Sequence, residues 1–121
     1  MMRKWLIAAA LAVLLLVSGR AFATDCSGTI AAGGTAQAVS AVNGNTRGLY
    51  VMNNSPEVIC LAWSGSAATI AGTNCGAGSY ALSAGSATVA GGSFSLPPNI
   101  RINSLSIIAA TTGSRFSCER Q

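Results

Sequence analysis

Cys26, Cys60, Cys75 and Cys118 are the residues of this 121-residue chain best suited to chemistry. Cys60 stands inside an apolar run, VICLAW, and Cys75 inside a glycine-rich stretch, GTNCGAGSYAL. Cysteines act as metal ligands, reactive thiolates or crosslinks. Zinc sites usually draw their ligands from closely spaced pairs, often with histidine. Here no C-x-x-C pair exists and the chain has no histidine. A reactive thiolate needs a nearby cation or a helix N-terminus, and the sequence around Cys60 offers neither. Crosslinking is the remaining use. Four cysteines allow three pairings. Cys60–Cys75 is preferred because it closes a short loop and ties down an otherwise loose stretch. Cys26–Cys118 is preferred with it because it joins the ends of the predicted mature domain, whose strands would be neighbours. The competing arrangement is Cys26–Cys75 with Cys60–Cys118, an inter-sheet bridge near Trp63.

The remaining polar residues offer little for catalysis. Without histidine the usual general base near neutral pH is missing, and Ser-His-Asp or Cys-His constellations are excluded. Beyond the N-terminal segment the carboxylates are Asp25, Glu57 and Glu119. Sugar hydrolysis needs two acids flanking one cleft. Asp25 and Glu119 read instead as exposed charges near the two ends of the domain, and Glu57 as a turn residue. The glycine-rich stretches AAGGTA and VAGGSF lack the G-x-x-x-x-G-K-[ST] pattern of a phosphate cradle. The reading therefore assigns no cofactor and no metal. Asn53-Asn54-Ser55 is a formal glycosylation sequon. Trp63, Tyr50 and Tyr80 are the candidate binding residues, for glycan or peptide. Trp63 shares a strand face with Ile59 and Leu61, which predicts a core position. The two tyrosines are expected at the sandwich edge.

These residues belong to a chain with two unlike parts. Arg3 and Lys4 precede an uncharged apolar run, WLIAAALAVLLLV, and a small-x-small site at Ala21-Phe22-Ala23. That layout predicts a helical signal peptide over residues 1–23 and a mature domain over 24–121. The mature part carries Arg47, Arg101, Arg115 and Arg120 against the three carboxylates and has no lysine. The formal charge of +4 thus comes mostly from the leader. Four scattered arginines do not make a phosphate-tracking surface, so no nucleic-acid partner is expected, and no membrane contact after cleavage. Export with an even cysteine count fits a disulfide framework in a periplasmic or extracellular setting.

The mature part has no sustained helical pattern. Alanine is interleaved with Gly, Ser and Thr, and short apolar or alternating runs are separated by turn residues. Strands are predicted at Ser27–Ala32, Thr35–Val42, Gly48–Asn53, Glu57–Ser64, Ala68–Ile70, Ser79–Ser83, Ser86–Ala90, Leu105–Ala109 and Arg115–Arg120. The turn NSPE predicts a hairpin between the third and fourth of these. Pro97-Pro98 is expected to end the element that begins at SFSL. The fold class is all-β: a single small β-sandwich or jelly-roll-like domain of about seven to nine short antiparallel strands.

The segments RGLYVMNNSPEVICLAW, LSAG and IIAATTG carry a resemblance to a loose group of small β-sandwich proteins of bacterial viruses and their hosts. Those proteins often read Arg-x-Leu-x-Val-x-Asn, then a strand, a Leu-x-x-Gly turn, and an isoleucine-alanine strand with a Thr-Gly turn. Here the matching residues are Arg47 through Asn53, Leu82 through Gly85 and Ile107 through Gly113. The resemblance implies a virion-associated or structural component. The leader sets this chain apart from capsid proteins, which assemble in the cytoplasm, and favours an exported relative. The expected function is a non-enzymatic exported structural or interaction module with a protein partner or self-association through uncharged strand edges. The alternatives are a phage decoration or tail-type protein and a carbohydrate- or peptide-binding module.

Overall fold

The computed structural model describes residues 24–86 and 88–121. The predicted signal peptide lies outside the described residues. The described chain is built of strands alone: β1 (Thr24–Asp25), β2 (Gly28–Thr29), β3 (Gln37–Ala38), β4 (Thr46–Asn53), β5 (Ile59–Ala62), β6 (Ile70–Ala71), β7 (Asn74–Cys75), β8 (Tyr80–Leu82), β9 (Ser93–Ile102), β10 (Ser106–Ala109) and β11 (Arg115–Arg120). One sheet runs β1-β11-β4-β9, with β2 also on β11; the second runs β3-β10-β5-β8; β6 and β7 form a small hairpin. Every ladder is antiparallel.

The two large sheets face each other across one apolar core. Leu49, Val51, Phe116 and Cys118 from the first sheet meet Ile59, Leu61, Leu82, Ile107 and Ala109 from the second. Strand β4 alternates buried and exposed residues over Leu49–Val51, as a strand with one wet face must. All four residues of β5 are buried. Its inner face meets the core, and its outer face is roofed by a separate cluster in which Cys60, Ala62, Ala68 and Ile108 pack with Ile70 and Cys75. The segment carrying the β6–β7 hairpin is thus a third layer, a flap over the second sheet.

This layering overturns the predicted β4–β5 hairpin. The two strands lie in different sheets: β4 pairs with β9 and β11, β5 with β8 and β10. A strand buried on both faces cannot lie in a sheet that has one face in water, so NSPE carries the chain between layers. The prolines are a second difference. Pro97 and Pro98 do not end a strand; they lie within the ten residues of β9. Strand β9 is the sheet edge, where a missing N–H breaks no ladder. The register shifts between Arg47 and Leu49 at this point. Gly48 has φ +71°, and a Cβ there would lie 3.1 Å from Pro98 Cα. The strand predicted at Ser86–Ala90 is also absent among the described residues. The Ser86 hydroxyl accepts from the amides of Thr88 and Val89, and the Ser86 amide donates to the Val89 carbonyl at 2.7 Å, which closes a turn.

The first two predicted strands shrink to two residues each, β2 and β3. Side chains take over where the ladders stop. Gln37 accepts from the Ala31 amide at 2.7 Å and donates to the Thr29 carbonyl at 3.0 Å. Between β1 and β2, the Cys26 amide bonds the Cys118 carbonyl at 2.9 Å, and the Ser27 hydroxyl accepts from the Cys118 amide at 2.9 Å. These contacts keep β1 and β2 aligned on β11.

The disulfides are Cys26–Cys118 and Cys60–Cys75, with Cα separations of 4.7 and 5.6 Å. Cys26 and Cys118 lie in the main core, and Cys60 faces the flap, so the crossed pairing has no geometry to support it. Two disulfides place the domain in oxidising, extracytoplasmic surroundings. In chain-entropy terms the wider loop constrains the unfolded chain more, by about 4.5 kcal/mol against about 3 kcal/mol for the shorter. Cys26→Ala/Cys118→Ala is therefore expected to lower the unfolding free energy more than Cys60→Ala/Cys75→Ala in chemical denaturation. The second pair of substitutions should instead raise amide exchange selectively in the flap, at Ile70–Cys75, while β4 and β11 stay protected.

Candidate functional site

The structure separates the three candidate aromatics. Trp63 and Tyr80 come together, joined by Phe94, which the sequence reading did not single out. Trp63 follows β5, Tyr80 opens β8 and Phe94 lies in β9, so the three rings bridge the open edges of the two sheets. The ring centroids lie 6.3 Å apart for Trp63–Tyr80, 6.3 Å for Trp63–Phe94 and 5.4 Å for Tyr80–Phe94. Trp63 is half-buried against the main core, and its Nε1 is buried without an acceptor. The predicted core position is thus a core margin. Tyr80 is the outward member, 49% exposed. Trp63 and Tyr80 stack on each other at an interplanar angle of 24°, so part of each ring face is already used.

Tyr50 lies elsewhere, on the wet face of the first sheet, 40% exposed. Its register partners are Glu119 on β11 and Ser95 on β9. With Pro97 and Pro98 these residues line an open groove of about 210 Å³. Asp25 stands directly opposite Glu119. The topology therefore does bring the two carboxylates side by side, both exposed. The hydroxyl and the backbone N–H of Ser27 hold the Asp25 carboxyl below its ordinary value. A general acid needs the opposite shift.

The most highly connected polar residue is Asn53, at the end of β4, with no exposed surface. Its Nδ2 donates to the carbonyls of Glu57 (2.6 Å), Leu82 (3.0 Å) and Ser83 (3.0 Å). Its Oδ1 accepts from the Ser55 amide and hydroxyl, both at 2.8 Å. The backbone continues the pattern: the Asn53 amide donates to the Gly92 carbonyl, the Gly91 amide to the Asn53 carbonyl, and the Gly85 amide to the Ser55 carbonyl. A side chain at Gly91 would overlap the Asn53 carbonyl oxygen. The sequon at Asn53 is thus consumed by the fold, since a glycan there requires the nitrogen that closes the turn. The sequence signal available was an asparagine at a strand end two positions before Ser-Pro, where such side chains satisfy local backbone groups.

The turn built on Asn53 fixes Glu57. Its Oε1 accepts from the Thr111 hydroxyl at 2.7 Å, while Oε2 is buried with no donor. Three segments far apart in sequence meet here: Asn53 at the end of β4, Leu82–Gly85 after β8, and Thr111 after β10. Among the described residues no group of three or more His, Cys, Asp or Glu side chains is arranged to hold a metal, and all four cysteines are in disulfides.

Asn53→Asp keeps the shape but replaces a donor to three carbonyls with an acceptor, in a site closed to water. It should lower the unfolding free energy by about 3 kcal/mol or more. Asn54→Asp, on an exposed neighbour, should change it by about 0.5 kcal/mol or less. Denaturant titration of the two variants beside the parent distinguishes a hub from a surface asparagine. Comparison of the chain with protein-family models, curated proteins and solved structures gave no match.

Proposed function

We propose that the chain is a non-enzymatic, exported interaction module that meets a protein partner or a second copy through side chains rather than through strand edges. The observation that carries this reading is the aromatic ridge of Trp63, Tyr80 and Phe94, which ends outward in Tyr80 on a frame tied by two disulfides. Tyrosine offers a large contact area for little conformational cost and is enriched where proteins meet. The predicted leader and the oxidising surroundings support export.

Several groups that could take part in chemistry have structural partners: the cysteines pair with each other, Asn53 closes its turn, and Glu57 Oε1 is tied to Thr111. Edge-to-edge assembly is opposed by the sheet margins. Strand β9 carries two prolines, and β1, β3 and β8 have only two or three residues each. The stacking of Trp63 on Tyr80 uses part of each ring face, and Tyr80 presents the rest outward.

Sedimentation velocity of the mature chain over a range of concentrations, beside peptide and glycan arrays, tests the reading. The expected result is concentration-dependent association or peptide binding that Tyr80→Ala weakens by about tenfold or more, with the fold intact. A chain that stays monomeric and binds neither array overturns it, as does an interaction indifferent to Tyr80→Ala.

A further inference from the structure

Asn43, Gly44 and Asn45 form the turn that leads into β4, and all three are exposed. Of the seven asparagines in the chain, Asn43 alone is followed by glycine. Its Oδ1 accepts from the Asn45 amide at 3.0 Å, which folds the side chain back along the Gly44 peptide. Its backbone is held by Thr46: the Asn43 carbonyl accepts from the Thr46 amide at 2.8 Å, and the Asn43 amide donates to the Thr46 hydroxyl at 3.0 Å. The Gly44 amide has no acceptor among the described residues. Glycine also has no Cβ to shield that nitrogen. Other asparagines lack this combination. Asn53 is buried with its Nδ2 in three hydrogen bonds. The amide that follows Asn54 is bonded to Asn53 Oδ1, and the amide that follows Asn45 to the Asn43 carbonyl.

We propose that Asn43 is a modification site that needs no enzyme: its side chain closes on the Gly44 amide, loses ammonia and becomes aspartate or isoaspartate, which loosens the start of β4. Hydroxide removes the Gly44 N–H proton, and the nitrogen forms a bond to Asn43 Cγ. Negative charge collects on Oδ1, where the Asn45 N–H already stands as a donor. The Cγ–Nδ2 bond then breaks, and Nδ2 takes a proton from water and leaves as ammonia. The product is a five-membered succinimide. Water opens that ring at either carbonyl. One opening gives aspartate; the other gives isoaspartate, whose main chain runs through Cβ and Cγ. The isoaspartate form thus has one extra carbon in the main chain, inside a turn closed by two hydrogen bonds between residues 43 and 46. Thr46 has no exposed surface and pairs with Ile102 of β9, so it is not free to follow the longer turn. This site is separate from the aromatic ridge and does not depend on it.

The test is timed incubation of the intact mature chain at mildly alkaline pH, sampled by peptide mapping with mass spectrometry, with isoaspartate scored by enzymatic methyl transfer. Asn43 is expected to convert faster, by about tenfold or more, than Asn54 and Asn103, whose following serines carry a Cβ. Its rate should rise with hydroxide concentration. It should be at least as high in the folded chain as in urea, where the bond from Asn45 is lost. Gly44→Ala should slow conversion by about tenfold or more. That variant keeps the fold, because a Cβ at Gly44 meets nothing nearer than Asn103 Oδ1 at 3.7 Å. The separated isoaspartate form should exchange its amides faster at Thr46 and Arg47, with Val51 and Cys118 unchanged. Asn43 intact while Asn54 or Asn103 converts, a rate indifferent to Gly44→Ala, or slower conversion in the folded chain than in urea overturns the site. Unchanged exchange at Thr46 and Arg47 overturns the loosening of β4.

Discussion

The carboxamide of Asn53 has two hydrogens and two lone-pair sites, and the fold uses all of them in a place closed to water. Its three acceptors come from parts of the chain far apart in sequence: Glu57 in the turn, and Leu82 and Ser83 at the end of β8. The side chain therefore does what a hairpin ladder would have done between β4 and β5, while leaving those strands free to enter different sheets. Each buried donor or acceptor left unmade here would cost about 1–3 kcal/mol, a large part of the 5–15 kcal/mol typical of a small domain. The layer change, the close approach of Gly91 and the position of Glu57 all follow from one asparagine at a strand end.

Once β5 has crossed to the second sheet, its outer face needs a cover. The β6–β7 flap supplies it with few residues of its own: Ala68 is buried, while Ile70 and Cys75 are only partly so. Two strands of two residues each cannot hold such a layer by ladder bonds alone. Cys60–Cys75 compensates by fixing the end of the β6–β7 hairpin to the middle of β5. Further bonds run from the Ala68 amide to the Ser106 hydroxyl (2.9 Å) and from the Thr69 amide to the Ser79 hydroxyl (3.0 Å). The cysteine inside the apolar run is thus a packing residue with a second, covalent duty.

Much of this was legible in the sequence. Strands β4, β5, β8, β10 and β11 each contain apolar positions whose burial the pattern predicts, and Arg115–Arg120 has the predicted bounds. The cysteine pairing followed from loop length and from the neighbouring ends of the domain. The layer change was harder to see, although its signal is present. GLYVMN alternates, whereas VICLA is continuously apolar, which marks one strand with a wet face and one covered on both sides. The turn NSPE masked that difference because its residues suit a hairpin equally well. The path of β9 through Pro97-Pro98 depends on its being an edge, a property of topology rather than of local sequence. The aromatic ridge and the Glu57–Thr111 contact were illegible for the same reason. Trp63 and Phe94 are thirty-one positions apart, and Glu57 and Thr111 fifty-four, and neither pair is joined by a pattern that a linear reading detects.

The composition now has a physical explanation. Only 8% of residues are charged, yet the chain is rich in serine, threonine and asparagine. Short strands leave many backbone groups without ladder partners, and such groups must be satisfied when they are buried. Gln37, Ser27, Asn53, Ser55 and Ser86 satisfy them with side chains. Neutral hydroxyl and amide groups perform this task at lower desolvation cost than charged groups would. Among the described residues three side-chain atoms stand outside this rule: Trp63 Nε1, Glu57 Oε2 and Arg120 Nε are buried with no hydrogen-bond partner, and each such atom takes away from the stability that the satisfied groups supply.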